Sequence, residues 1–157
     1  MSSKSPKGIQ PPASSKPVVA PAPSVNRTIL YKAVASGDLR PMVTFTLKDP
    51  QGSPVVPPFF GIADSGADGS MFPMAVMDDL GITQADCEER GQLGADGAGK
   101  YYAWNGGKLS ANFYGVTVDL NMHFSRTPFI LLGRSDFFAM FKVSFNQRSL
   151  RFTIQNY

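Results

Sequence analysis

A chain of 157 residues can bury one core but not two, and its 15 glycines, 13 prolines and 12 phenylalanines favour strands and turns over long helices. The net charge of +3 is unevenly placed: Lys4, Lys7, Lys16 and Arg27 precede the first acidic residue, Asp38, and the rest of the chain carries −1, so no basic face for nucleic acid is expected on the folded part. One cysteine, Cys87, and one histidine, His123, rule out an internal disulfide and argue against a multi-cysteine or histidine-rich metal site and a Ser-His triad.

From Met1 to about Asn26 the chain is Pro, Ser, Ala and Lys with little to bury, which predicts a flexible tail over residues 1–27 and a single domain over 28–157. No apolar run is long enough to span a membrane, and the N-terminal residues lack the apolar core of a signal peptide, so a cytoplasmic protein without a membrane partner is expected. Ile29 to Val34 reads as a strand. Pro41 to Leu47 alternates apolar with polar at period two. Asp49-Pro50-Gln51-Gly52 is a turn signal, and Phe59 to Ala63 is a short apolar strand running straight into Asp64.

Pro73 to Leu80 predicts a short helix stopped by Gly81. Gly94 to Gly99 is a glycine-rich turn between two strands, the second being Tyr101 to Trp104, and Asn105-Gly106-Gly107 reads as another tight turn. Leu109 to Phe113 and Val116 to Met122 predict a hairpin around Gly115. Phe129 to Leu132 reads as a buried strand ending at Gly133, followed by a helical turn or two from Arg134 to Phe141. Val143 to Phe145 and Leu150 to Ile154 close the chain as a hairpin. The class is therefore all-β with one or two short helices.

The strongest chemical signal is Asp64-Ser65-Gly66-Ala67-Asp68, a carboxylate delivered by an apolar strand into a sharp turn. A surface turn would explain the residues but not the buried approach. A calcium loop would use Asp64, Asp68 and Gly69, yet Gly66 and Ala75 stand where oxygen ligands are needed. A Cys87–His123 pair is disfavoured because Asp86, Glu88 and Glu89 would raise the thiol pKa.

This segment resembles the Asp-Thr/Ser-Gly-Ala signature of the retropepsin-like aspartic proteases. Phe129-Ile130-Leu131-Leu132-Gly133-Arg134 is similar to that family's apolar-apolar-Gly-Arg strand, and Arg40-Pro41-Met42-Val43 to its first-strand segment. The resemblance implies a single-lobe acid-protease fold, a homodimer with one catalytic Asp64 per subunit, and no cofactor or metal. It implies that Ser65, Gly66 and Ala67 support the turn, and that Gly66, Asp68, Gly97, Ala98 and Gly99 meet a peptide substrate, the last three in a flap over residues 94–99. It also implies that Asp68 pairs with Arg134 of its own subunit and with Arg40 of the partner. Ser135, in place of an Asp or Asn, the long loop from Lys48 to Pro58, and the helix after Gly133 look more like bacterial members than retroviral ones. The alternative reading is a catalytically silent domain of the same type, acting as a peptide-binding or dimerisation module.

Overall fold

In a computed structural model that describes residues 24–92 and 99–157, period-two alternation decides most of the architecture. In chain order the elements are β1 (Asn26–Leu30), β2 (Lys32–Ala33), β3 (Leu39–Arg40), β4 (Met42–Leu47), β5 (Phe59–Ala63), β6 (Phe72–Pro73), α1 (Ala75–Leu80), β7 (Cys87–Gln92), β8 (Gly99–Phe113), β9 (Val116–Ser125), β10 (Ile130–Leu132), α2 (Phe137–Met140), β11 (Phe141–Asn146) and β12 (Arg151–Asn156). The all-β class with short helices is what the structure has. Among the described residues no helix is long and apolar enough to cross a membrane.

β4 buries Val43, Phe45 and Leu47 on one face and is shared between two partners. Its first four residues pair antiparallel with β5, and Thr46 and Leu47 pair with β8. The large sheet thus runs β10-β5-β4-β8-β9-β6, with β7 added on β8. A second sheet, β1-β12-β11, ties the first described strand to the last, and β2 and β3 form a small hairpin of their own. Between the layers lies an aromatic cluster: Phe113 stacks on Phe45 at 4.8 Å and meets Phe137 at 5.2 Å and Phe141 at 5.8 Å. Short α2 and the start of β11 therefore close the core with side chains that a sequence scan reads as a helical stripe.

Several expected boundaries move. The first strand begins at Asn26, with Val25 already buried and its N–H bonded to Asn156 Oδ1 at 2.7 Å, two residues ahead of Thr28. The expected strand from Ile29 to Val34 breaks at Tyr31, whose N–H turns to Leu150 O at 2.8 Å, so its halves join different sheets. The turn expected at Asn105-Gly106-Gly107 is instead an irregularity inside β8, which continues from Gly99 to Phe113 while its register with β9 shifts between Ala103 and Lys108. Turn residues here make a bulge because β9 is long enough to pair on both sides of it. The helix after Pro73 starts at Ala75, buries Val76, Met77 and Leu80, and ends at Gly81 as expected.

Candidate active site

Asp64 follows directly from the apolar run of β5. β10 lies parallel to β5, with Ile130, Leu131 and Leu132 opposite Gly61, Ile62 and Ala63, and the Asp64 N–H continues the ladder to Leu132 O at 3.1 Å. The chain then loops through residues 65–70 and returns on the far side of β10, where Met71 and Leu131 exchange both backbone hydrogen bonds at 2.9 and 2.8 Å. β10 is thereby held between the strand that delivers Asp64 and the segment that leaves it.

Inside the loop, Ala67 N–H bonds to Asp64 O at 3.2 Å, and Asp64 Oδ1 accepts the Gly66 N–H at 2.9 Å. The short-range turn bond weighed against a buried site is thus present together with the buried approach. It orients a half-buried carboxylate and leaves Oδ2 outside that bond. Ser65 and Gly66 are exposed beside it and Ala67 is half-buried.

Gly133 explains why the crossing can be so close. A Cβ on Gly133 would stand 2.4 Å from both the carbonyl carbon and oxygen of Gly69, a distance at which backbone must move. From there Arg134 N–H reaches Ala67 O at 3.0 Å and Ser135 N–H reaches Asp68 O at 2.8 Å. The Arg134 guanidinium pairs with Asp68 in the same chain, as the sequence led us to expect, and their side chains are 61% and 90% exposed. Burial of this pair is therefore not a property of the single chain. Arg40 ion-pairs with Asp38 of its own chain at 3.5 Å.

A polar network missed at the sequence level sits behind the loop. Asp136 is 3% exposed; its Oδ2 accepts the Ser70 N–H at 3.0 Å and its Oδ1 accepts from Asn121 Nδ2. Ser70 Oγ in turn accepts the Gly133 N–H at 3.2 Å. The only hint in the sequence was an acid two residues past Gly133-Arg134, in an otherwise aromatic stretch.

Of the flap residues, Gly97 and Ala98 lie outside the described residues. Gly99 opens β8 opposite Gln92 of β7, so the strands flanking residues 93–98 are antiparallel neighbours. Cys87 is a free, half-buried thiol whose pKa is pushed up, chiefly by burial and then by Asp86. The sense matches the sequence expectation, but the acidic neighbour is the lesser cause.

Asp64 and Ser65 face an open groove of about 420 Å³ whose walls include Ile62, Leu131, Phe129 and Phe145, with Arg40 and Gln147 also in its lining. A second apolar groove of about 340 Å³, between the loop around Val55 to Phe60 and Pro73, shares Phe129 with it. A carboxylate in a trough that mixes apolar walls with Arg40, Ser65 and Gln147 can exchange protons with a reactant held in extended form. No protein-family model matches this sequence, and no curated protein matches it. Among solved structures the chain is similar to an EIAV protease complexed with the inhibitor HBY-793, at 19% identity and a TM-score of 0.45, covering 61% of this chain and 83% of that one.

Proposed function

We propose that this protein is a retropepsin-like aspartic endopeptidase that works as a homodimer. The observation that carries the reading is the crossing itself: a carboxylate at the end of a partly buried strand, locked by a parallel strand and a Gly133–Gly69 backbone contact, and opening on a groove walled in part by Ile62, Phe129 and Leu131.

One carboxylate cannot act as acid and base in the same step. Two copies of Asp64 about a twofold axis supply both. At about 3 Å and an effective dielectric of roughly 20, two such charges repel by about 5 kcal/mol, so the pair holds one proton, as aspartic proteases in general do. The ionised copy takes a proton from water as the water oxygen adds to the peptide carbonyl carbon, and the protonated copy gives its proton to the carbonyl oxygen. The gem-diol adduct collapses with cleavage of the C–N bond: one hydroxyl returns its proton to the second carboxylate as the C=O re-forms, and the amine leaves with the proton held by the first carboxyl. The peptide lies extended in the trough, its apolar side chains against Ile62, Phe129 and Leu131.

In this dimer Arg40 pairs with Asp68 of the other subunit, whose high exposure in the single chain leaves it free to accept a second cation. Gly66, Asp68 and the segment holding Gly97, Ala98 and Gly99 contact the substrate backbone. The lean towards bacterial members rests on Ser135, the long loop from Lys48 to Pro58 and the helix after Gly133.

Asp64→Asn decides the matter. It keeps the side-chain size and removes the base, so peptide hydrolysis falls by at least about a thousandfold with an unchanged circular dichroism spectrum. Full activity in the purified variant removes Asp64 from the chemistry. A wild-type protein that binds peptides and dimerises without cleaving them is the catalytically silent module instead.

A further inference from the structure

The chain's single imidazole stands directly behind the carboxylate loop. His123 is half-buried in β9, opposite Ala103 of β8, and Tyr101 of β8 meets its ring edge-on at 5.2 Å. On its other side is the loop: a Cβ on Gly69 would stand 3.6 Å from His123 Nδ1. The Ser70 backbone interacts with the ring in the sense that favours the imidazolium, as a carbonyl acceptor does. Ser70 is the residue whose N–H is held by Asp136 and whose Oγ holds the Gly133 N–H. The ring therefore leans on the segment that fixes the crossing under Asp64.

We propose that His123 is a positioning residue for Asp64: neutral, it packs between Tyr101 and the Gly69–Ser70 segment and keeps the loop in register against β10, and charged, it loosens that segment. The proposal rests on reading Asp64 as the catalytic carboxylate. It gives the loop a proton-dependent support at a site distinct from the carboxylate itself.

The groups facing the ring are few. Burial is the largest influence and lowers the imidazole pKa; Asp136, ahead of α2, favours the charged form, Arg90 of β7 opposes it, and the Ser70 backbone favours it. Tyr101 contributes a ring edge. The sign follows from the direction. With the folded value below the unfolded value of about 6.5, the unfolded chain binds more protons between the two. The ring's contribution to folding stability is complete above about 6.5, fades as pH falls towards the folded value and is flat below it; within the folded protein the segment loosens as pH falls through the folded value itself.

Because His123 is the only histidine, its ring protons titrate as a single resolved set in NMR. In full-length Asp64→Asn protein, where no hydrolysis can interfere, the Gly66 and Ala67 amide shifts are expected to follow the His123 midpoint, and to lose that transition in a second protein that also carries His123→Gln. Amides at Gly66 and Ala67 that ignore the His123 midpoint, while Ser70 follows it, overturn the coupling. In active protein, kcat is expected to drop on the acid side with the same midpoint. His123→Gln, which keeps a donor but no titrating charge, should lose that limb and hold kcat within about threefold at pH 7. His123→Ala should lower kcat at every pH with KM little changed. An unaltered acid limb in His123→Gln overturns the proposal even if His123→Ala fails to fold. Absence of any hydrolysis in wild-type protein counts against the Asp64 reading, whereas the amide titration judges the His123 coupling by itself.

Discussion

Two segments border the groove at Asp64, and they are built in opposite ways. The loop over residues 64–71 is pinned at its ends and from behind: β5 and β10 hold its ends, Gly133 crosses against Gly69, and the buried Asp136 side chain holds Ser70. The hairpin of β2 and β3 has two registered pairs, Lys32 with Arg40 and Ala33 with Leu39, and its residues are exposed apart from half-buried Val34. Its outward tie is Lys32, whose ammonium lies 4.7 Å from the Phe60 ring centre. Backbone hydrogen bonds and a buried side-chain acceptor, Asp136, fix the loop that carries the carboxylate. A solvated hairpin and one cation over a ring leave the groove's rim compliant. Under the proposed function, the first segment would serve chemistry that needs a carboxylate placed to a fraction of an ångström, and the second would admit varied peptides.

Substitutions that separate the two regions should have very different sizes. Gly133→Ala forces a methyl group into the Gly69 backbone and should destabilise by about 3 kcal/mol or more, read as a lower denaturation midpoint. A midpoint within about 1 kcal/mol of wild type would mean the crossing relaxes easily.

Asp136→Ala strips the partner from the Ser70 N–H and from Asn121, both behind the loop, and should destabilise by about 2 kcal/mol. Asp136→Asn keeps an acceptor for Ser70 and should recover part of that loss.

In the hairpin, Gly37 has φ +87° with open space around its Cβ position, so Gly37→Ala should destabilise by about 1 kcal/mol through backbone strain alone. The Asp64→Asn and wild-type proteins should otherwise respond to it alike. A larger loss, or a change in loop amide shifts, would mean the two regions are coupled.

The smallest effect concerns Arg134. Its pair with Asp68 is exposed in the single chain, so Arg134→Ala should differ from Arg148→Ala by about 0–1 kcal/mol in dilute protein. A gap that widens with protein concentration would show that a second copy covers the pair.

Local chemistry made a good deal of this protein legible from its sequence. Period-two alternation marked Met42 to Leu47, and a bounded apolar run marked β5 to the residue. Asp64-Ser65-Gly66 and Leu132-Gly133-Arg134 are singled out together by their resemblance to one family's motifs, since either triplet alone is common in ordinary turns and strand ends. The Asp68–Arg134 pair is implied by the same resemblance and is present in the structure. What sequence could not supply depended on residues far apart in the chain. Asn105-Gly106-Gly107 carries every local sign of a turn, yet β9 pairs on both sides of it and makes it a bulge. Tyr31 sits mid-run in a plausible strand, and only the bond to Leu150 explains the break. Asp136 lies inside the helical turn expected from Arg134 to Phe141, and only the fold sets its carboxylate against Ser70, 66 residues away in sequence. His123 lies one residue past the strand expected over Val116 to Met122, and only the tertiary structure sets its ring beside Gly69. Periodicity and turn propensity act over a few residues and are written into the chain locally, whereas burial and hydrogen bonding of a polar group are decided by which distant segment the tertiary structure packs against it.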